Sequence, residues 1–424
     1  MRFSKFNLGI VLFAQALLLS HAFAEGKGPS VLEKKIVEYG WDCPTPDFIH
    51  KHIDVMKTRP FDGVVFHLRG KDRTFLPPGS DSPIPDTEGG SRVFNIQGFE
   101  ESDFEMECRL LAEIDWGHYT DNFLILFADS HQDWFDDSHW ETILKNVRLV
   151  THAGAVAGCV GLVFDPETYY ETRPWKYPVS PRKDEKTFAE YEDKVRERGT
   201  AFIQTIESEM PDVQLLTFFQ ISFLKKFCLP MSPEERETGL KDHTYGLLPA
   251  FLEGMLEGAS GGTTIIDGNE PSYHYVSPRD FFEGSHFIGN TARYLIDQSL
   301  WGEYHRRVRT GQAVYVEEVM ALRRPEHRGP AARMTEEERL LWLEHNFYWG
   351  LQTTDRYVWC YNEFLNWWDN GDITREEAEG MGMTWPRDCV PPISFQEALL
   401  SAKRKYERGG LLQIDLTSIM ERVK

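Results

Sequence analysis

The stretch Gly158-Cys-Val-Gly-Leu-Val-Phe-Asp165-Pro-Glu167-Thr-Tyr-Tyr170 decides how the chain is read. Cys159, Val160, Leu162, Val163 and Phe164 form a short apolar run behind a glycine-bounded helix end, the pattern of a strand buried on both faces. Pro166 stops ladder pairing, so the acids stand at the strand's carboxyl end. Side chains alternate along a strand, and Asp165 and Glu167 therefore share a side if extended geometry carries past the proline. A carboxyl pair so placed can exchange a proton and stabilise positive charge at a sugar carbon, which is what glycosidic-bond cleavage needs. The competing reading is a helix N-cap or a solvated loop pair.

Working outward, the alternation of strand and helix repeats along the chain. Upstream, Lys35 to Asp42, Asp62 to Leu68 and Asn122 to Asp129 read as strands, separated by helices at Phe48 to Met56, about Ser102 to Glu113, and Trp140 to Ala153. Between the second strand and its helix lies a long insertion, Arg69 to Phe99, rich in Gly, Pro, Asp and Ser. Downstream, the strands are Val213 to Gln220, Gly261 to Asp267, Ala313 to Val316 and Tyr357 to Tyr361. Helices are expected at Phe188 to Ile206, Leu247 to Glu257, Pro278 towards Arg309 with breaks at Gly284 and Gly289, Thr335 to Leu351, and Ser394 to Arg408. Thr335 and Glu338 have the spacing of a capping box. The tail from Leu411 to Lys424 fits neither pattern.

Eight such units with nearly continuous apolar strands predict an α/β fold, a (β/α)8 TIM barrel with long βα loops at its C-terminal face. An open doubly wound sheet would carry a glycine-rich phosphate loop after its first strand, where this chain has Trp41-Asp-Cys-Pro. One barrel domain is expected over residues 25–424. Residues 1–24 read as a cleaved signal peptide: Arg2 and Lys5, the apolar run Leu8 to Leu19, and Ala22-Phe-Ala24 before the cut. The expected location is therefore secreted or periplasmic. The net charge of −21 argues against nucleic acid or an anionic membrane as partners. Six irregularly spaced cysteines with no C-x-x-C pair suggest neither a zinc ribbon nor a disulfide scaffold.

In a barrel of this kind the active site lies where the strands end. The residues leaving those ends are Asp42, His67, Asp129, Asp165 with Glu167, Gln220, Asp267 with Glu270, Glu317 with Glu318, and Glu363. The loops add Tyr169, Tyr170, Trp175, Tyr177, Tyr273 and Tyr275, and the eighth strand adds Trp359, Tyr361, Trp367 and Trp368. Aromatic faces in a carboxylate-lined cleft suit the C–H faces of sugar rings, although each is also an ordinary packing residue under long loops. Glu167, Asp165, Glu270, Asp267 and Glu363 are accordingly the candidate catalytic acids. Asp42, His67, Tyr169, Gln220, Tyr273, Trp359 and Tyr361 are the candidate substrate contacts. No metal-ligand spacing, G-x-S-x-G elbow or cofactor motif accompanies them, and neither metal nor cofactor is expected.

On these motifs the chain resembles the (β/α)8-barrel glycoside hydrolases. Phe164-Asp165-Pro-Glu167 is similar to the D-x-E strand ending of chitinase-like enzymes, in which the Glu is the general acid and the Asp orients the substrate N-acetyl group; Trp359 matches their eighth-strand Trp. The two upstream acids of the chitinase pattern D-x-x-D-x-D-x-E are Val160 and Val163 here. Asp165 on the fourth strand facing Asp267 on the sixth resembles instead the α-galactosidase and α-glucosidase group, where the first is nucleophile and the second acid/base. In layout the chain is also similar to uncharacterised exported bacterial barrel proteins. The resemblance implies a secreted glycoside hydrolase acting on an oligo- or polysaccharide, with Glu167 as general acid/base. The alternatives are a carbohydrate-binding barrel without catalysis and a metal-dependent hydrolase.

Overall fold

All eight expected strands form, and all run parallel, in the computed structural model, which describes residues 33–423 apart from 72, 76–83, 87, 170–171 and 386–389. The expected signal peptide, Tyr170 and Cys389 lie outside the described residues. The strands are β1 (Lys35–Gly40), β2 (Gly63–Phe66), β3 (Phe123–Phe127), β4 (Gly161–Asp165), β5 (Gln214–Thr217), β6 (Thr264–Asp267), β7 and β8 (Tyr357–Asn362). β7 comes in two pieces, Val308–Thr310 paired to β6 and Gln312–Tyr315 paired to β8. Because β8 also pairs with β1, the ring closes across Gly311, whose N–H donates to the Asp267 carbonyl at 2.7 Å.

Around it lie α1 (Pro46–Met56), α2 (Glu105–Glu113), α3 (Asp137–Val156), α4 (Phe188–Glu209), α5 (Leu248–Gly258), α6 (Trp301–Arg307), α7 (Glu336–Thr353) and α8 (Ile393–Glu407). Their starts follow from capping chemistry. Asp136 accepts from the His139 N–H at the head of α3, and Thr187 with Glu190, and Thr335 with Glu338, close capping boxes on α4 and α7.

Three expectations need correcting. β7 begins at Val308, not Ala313, and the helix expected to reach Arg309 stops at His286, followed by a π-helical turn, Phe287–Thr291. Arg306-Arg-Val-Arg309 conceals the strand start because Arg307 is buried, its Nη1 donating to the carbonyls of Ser260 at 2.9 Å and Thr263 at 3.1 Å. β5 ends at Thr217, three residues short of Gln220. The tail forms a helix, Thr417–Val423, with Met420 and Val423 buried.

Alternation along the strands sorts side chains into two cores. Tyr39 lies opposite Tyr361, and Tyr315 opposite Tyr361, in parallel register. Their rings meet inside the ring of strands, at 5.9 Å and 4.9 Å from Tyr361. Phe164 faces the other way, packing 5.1 Å from Phe202 of α4 and 5.7 Å from Phe251 of α5. With Phe164 outward, its neighbour Asp165 must face inward.

Gly161 allows β4 and β5 to meet: a Cβ there would lie 1.8 Å from the Gln214 carbonyl oxygen. Gly158 has a positive φ of 70° but open space around its would-be Cβ. Gly161→Ala is expected to cost at least about 2 kcal/mol through overpacking, and Gly158→Ala about 1 kcal/mol through the left-handed backbone alone. Urea unfolding of the two variants checks the order.

Candidate active site

At the carboxyl end of β4, Asp165 is fully buried. Its Oδ1 accepts the Glu167 N–H at 2.8 Å, and its Oδ2 lies 2.8 Å from the Tyr169 hydroxyl. The same hydroxyl lies 2.5 Å from Glu167 Oε2. The strand geometry thus carries past Pro166, and the two carboxyls share a side. The Trp175 indole N–H donates to the Pro166 carbonyl at 2.8 Å and props the turn from below.

A phenol has one proton to donate, and here two carboxyl oxygens stand within hydrogen-bond distance of it. Both contacts are hydrogen bonds only if one carboxyl keeps its own proton. The Tyr169 hydroxyl thus lies between two carboxyls that share a proton. Burial, then the charge of Glu167, pushes the Asp165 carboxyl well up. Glu167 is also raised, chiefly by burial, with Glu363 adding to the effect and the Tyr169 hydrogen bond opposing it.

The turn after β6 brings in a third acid. Asn269 adopts a left-handed conformation, φ 50°, which asparagine tolerates, and its amide donates to Gln312 Oε1 at 2.9 Å. This throws Glu270 inward, its N–H donating to the Phe218 carbonyl at 3.1 Å. Its Oε2 is buried without a hydrogen-bond partner. Burial, followed by the charges of Glu167 and Asp267, lifts Glu270 to about 8. Glu363 arrives from the turn after β8. Oε1 of the buried Glu317 accepts three successive N–H groups there, from Glu363 at 3.0 Å and from Phe364 and Leu365 at 2.9 Å.

Under these acids lies an aromatic floor. Trp359 stacks on Phe218 at 4.7 Å and packs 5.3 Å from Tyr273, and its indole N–H donates to the Gly268 carbonyl at 2.8 Å. Tyr273 and Tyr361 stack at 5.3 Å with an interplanar angle of 14°. Tyr39 lies 4.6 Å from Phe218. Tyr245, carried in by the long excursion after β5, is acted on by the charges of Glu167, Glu270 and Asp165.

Of the expected residues, the structure brings together Asp165, Glu167, Tyr169, Glu270, Tyr273, Trp359, Tyr361 and Glu363. Asp267 does not join them. Ile266 precedes the inward Gly268 by two residues, so Asp267 faces outward, fully buried, accepting from the N–H groups of Ile221, Ser222 and Asn269 and from the Ser222 hydroxyl at 2.8 to 2.9 Å. It anchors the β5 and β6 loops to each other. Asp42, expected as a substrate contact, is likewise buried and bound at 2.7 Å by both the Asn362 amide and the Trp367 N–H. Gln220 is buried, its amide donating to the Leu248 carbonyl at 3.2 Å, and His67 is buried too. Trp175, Trp367 and Trp368 are core residues.

Sequence reasoning missed Tyr39, Phe218, Tyr245 and Tyr315. Among the described residues no group of three His, Cys, Asp or Glu side chains is arranged to hold a metal ion, and no helix is long and apolar enough to cross a membrane. The described cysteines Cys43, Cys108, Cys159, Cys228 and Cys360 are free thiols.

No protein-family model matches the chain, and no curated protein does. Among solved structures it is similar to a putative sugar phosphate isomerase/epimerase from Anabaena variabilis, at 9% identity and TM-score 0.39, over 88% of this chain and 99% of that one. It is also similar to catalytic modules of the pneumococcal exo-β-D-N-acetylglucosaminidase StrH, at 9% identity and TM-scores of 0.36 and 0.34, over 89% of this chain and 86% of those. Likenesses at this level carry nothing about reaction or substrate.

Asp267→Ala strands three N–H donors and a hydroxyl in the interior, each unsatisfied group costing about 1 to 3 kcal/mol before relaxation. It is expected to lower stability by roughly 3 kcal/mol or more in urea unfolding, while Glu270→Gln, which removes an uncompensated buried acid, leaves stability at neutral pH unchanged or higher.

Proposed function

We propose that this chain is an exported glycoside hydrolase. The observation that carries the reading is the convergence, over one aromatic floor, of inward carboxyls from the ends of β4, β6 and β8, with burial lifting Glu270 to about 8. Glu270, lifted to about 8, keeps its proton and is the general acid. Glu167, held by the Tyr169 hydroxyl, is the base or nucleophile in its carboxylate form. Asp165 retains the proton of the pair and orients Glu167 through its backbone N–H.

In the reaction, the Glu270 proton passes to the glycosidic oxygen as the bond from that oxygen to the anomeric carbon breaks. Positive charge develops on the sugar ring beside the Glu167 carboxylate. Glu167 then either takes a proton from the attacking water or attacks the anomeric carbon itself. Tyr361, the partly exposed ring of the aromatic floor, meets the sugar's apolar side. The sequence Met1–Ala24, with the pattern of a cleaved signal peptide, supports export to a compartment where such polymers are met.

A panel of aryl glycosides and oligosaccharides tests the assignment. Glu270→Gln and Glu167→Gln are each expected to lose roughly 10²- to 10⁴-fold in kcat. The parent's alkaline limb should fall near pH 8, because above it Glu270 gives up the proton it must donate, and Glu270→Gln should abolish that limb. Turnover by either variant at the parent's rate, or none by the parent on any glycan, removes the reading.

A further inference from the structure

Exposed aromatic rings stand on two opposite sides of the mouth, and the inference drawn from their placement deepens the glycosidase reading and rests on it. Trp41 follows the last residue of β1. Among the described residues it is the one exposed tryptophan, at 50%. Its backbone is held on both sides: its N–H donates to the Asn362 carbonyl at 2.9 Å, and the carbonyl of the next residue, Asp42, accepts the Trp368 indole N–H at 2.8 Å. The Asp42 carboxyl, gripped by Asn362 and Trp367, adds to the hold. Phe364 meets the Trp41 ring edge-on, 5.9 Å away at 64°, and it directly follows Glu363, the acid whose charge acts on Glu167.

β5 lies four strands from β1 in either direction round the ring, so the loop after it stands on the opposite rim. There Phe223 is 39% exposed, its ring 4.5 Å from Phe219 and 6.2 Å from the half-buried Tyr245. Tyr245 in turn lies within reach of the charges of Glu167, Glu270 and Asp165. Apolar side chains scattered singly over a surface are ordinary. A tryptophan clamped open at the rim of an acid-lined mouth, with a second ring pair across from it, instead leaves apolar area in water at two points that one long ligand could cover. Such a ligand must present C–H faces at intervals along its length and hydroxyl edges to the acids between. A polyanionic chain would be repelled by those acids.

We propose that Trp41 with Phe364, and Phe223 with Tyr245, are two sugar-binding platforms on either side of the acids, and that the substrate is an extended, uncharged polysaccharide chain lying across both, so that the bond presented to Glu270 and Glu167 is an internal one. Because Trp41 is fixed before the ligand arrives, little ordering cost opposes its contact with a sugar ring. Trp41 and Phe223 are then specificity residues for chain length, remote from the reacting atoms.

Calorimetry on the full chain carrying Glu270→Gln, which keeps the ligand whole, tests this with cello-, manno- and xylo-oligosaccharides from disaccharide to octasaccharide, and with polyuronate oligomers as the charged control. In at least one uncharged series affinity is expected to rise at least tenfold from the shortest to the longest chain. Trp41→Ala and Phe223→Ala, confirmed folded by circular dichroism, should each cut octasaccharide affinity at least fivefold and flatten its dependence on length, with the two effects multiplying in the double variant because the platforms do not touch. Trp41→Tyr, which keeps a flat ring, should restore most of the loss. Affinity independent of length in all three series, length dependence unchanged in both alanine variants, or equal affinity for polyuronates overturns the proposal, as does release of terminal sugars alone by the parent. Length-dependent binding that the variants lose, without cleavage by the parent, upholds the platforms and removes the hydrolase reading, whereas cleavage of aryl glycosides with length-independent binding does the reverse.

Discussion

A carboxyl group taken out of water must find donors, a cation or a proton. The acids at the rim of this barrel divide according to which they find. Asp267, Asp42 and Glu317 find N–H and amide donors, and each thereby ties one loop to another strand end. Asp165 and Glu167 share the Tyr169 hydroxyl, and among the described residues Glu270 Oε2 finds no donor. Its compensation is a proton, and a proton can be given away in a reaction.

The two groups depend on each other. Glu363 can face the mouth because Glu317 gathers the N–H groups of its turn, and Glu270 reaches inward from a bend whose Asn269 N–H is held by Asp267, itself tied to Ile221 and Ser222. Buried acids that bind backbone donors fix the positions of acids that do not. Burial still lifts Glu317 to about 7 and Asp42 to about 6, since the donors offset only part of the loss of water. Glu38, buried on β1, is pushed well up by burial and then by the charge and hydrogen bond of Asp42. It faces away from the mouth, because Tyr39 beside it faces in.

How far the sequence carried follows from the same distinction. Apolar strand runs separated by capped helices made the barrel legible, and period-two alternation placed Asp165 with Glu167. Asp267 was misread because Asp-Gly-Asn-Glu offers two acids near one strand end, and only the inward or outward phase of β6, set by pairing with its neighbours, says which faces the mouth. Asp42 and Gln220 failed for a similar reason: a polar residue at a strand end reads alike whether it meets substrate or a backbone N–H. Tyr245 and Phe218 lie in the excursion after β5, whose path comes from packing, not from any local pattern. The start of β7 was hidden by Arg307 and Arg309, because burial of a guanidinium under carbonyl groups leaves no mark in hydropathy.

The central claim is that Glu270 carries a proton at neutral pH. Infrared difference titration of the carboxyl carbonyl stretch, parent against Glu270→Gln, measures this directly. The account predicts a protonated-carboxyl band at pH 7 that disappears with a midpoint near pH 8 and is missing from the variant. A parent spectrum with no such band above pH 6, or a band that survives in Glu270→Gln unchanged, would contradict it.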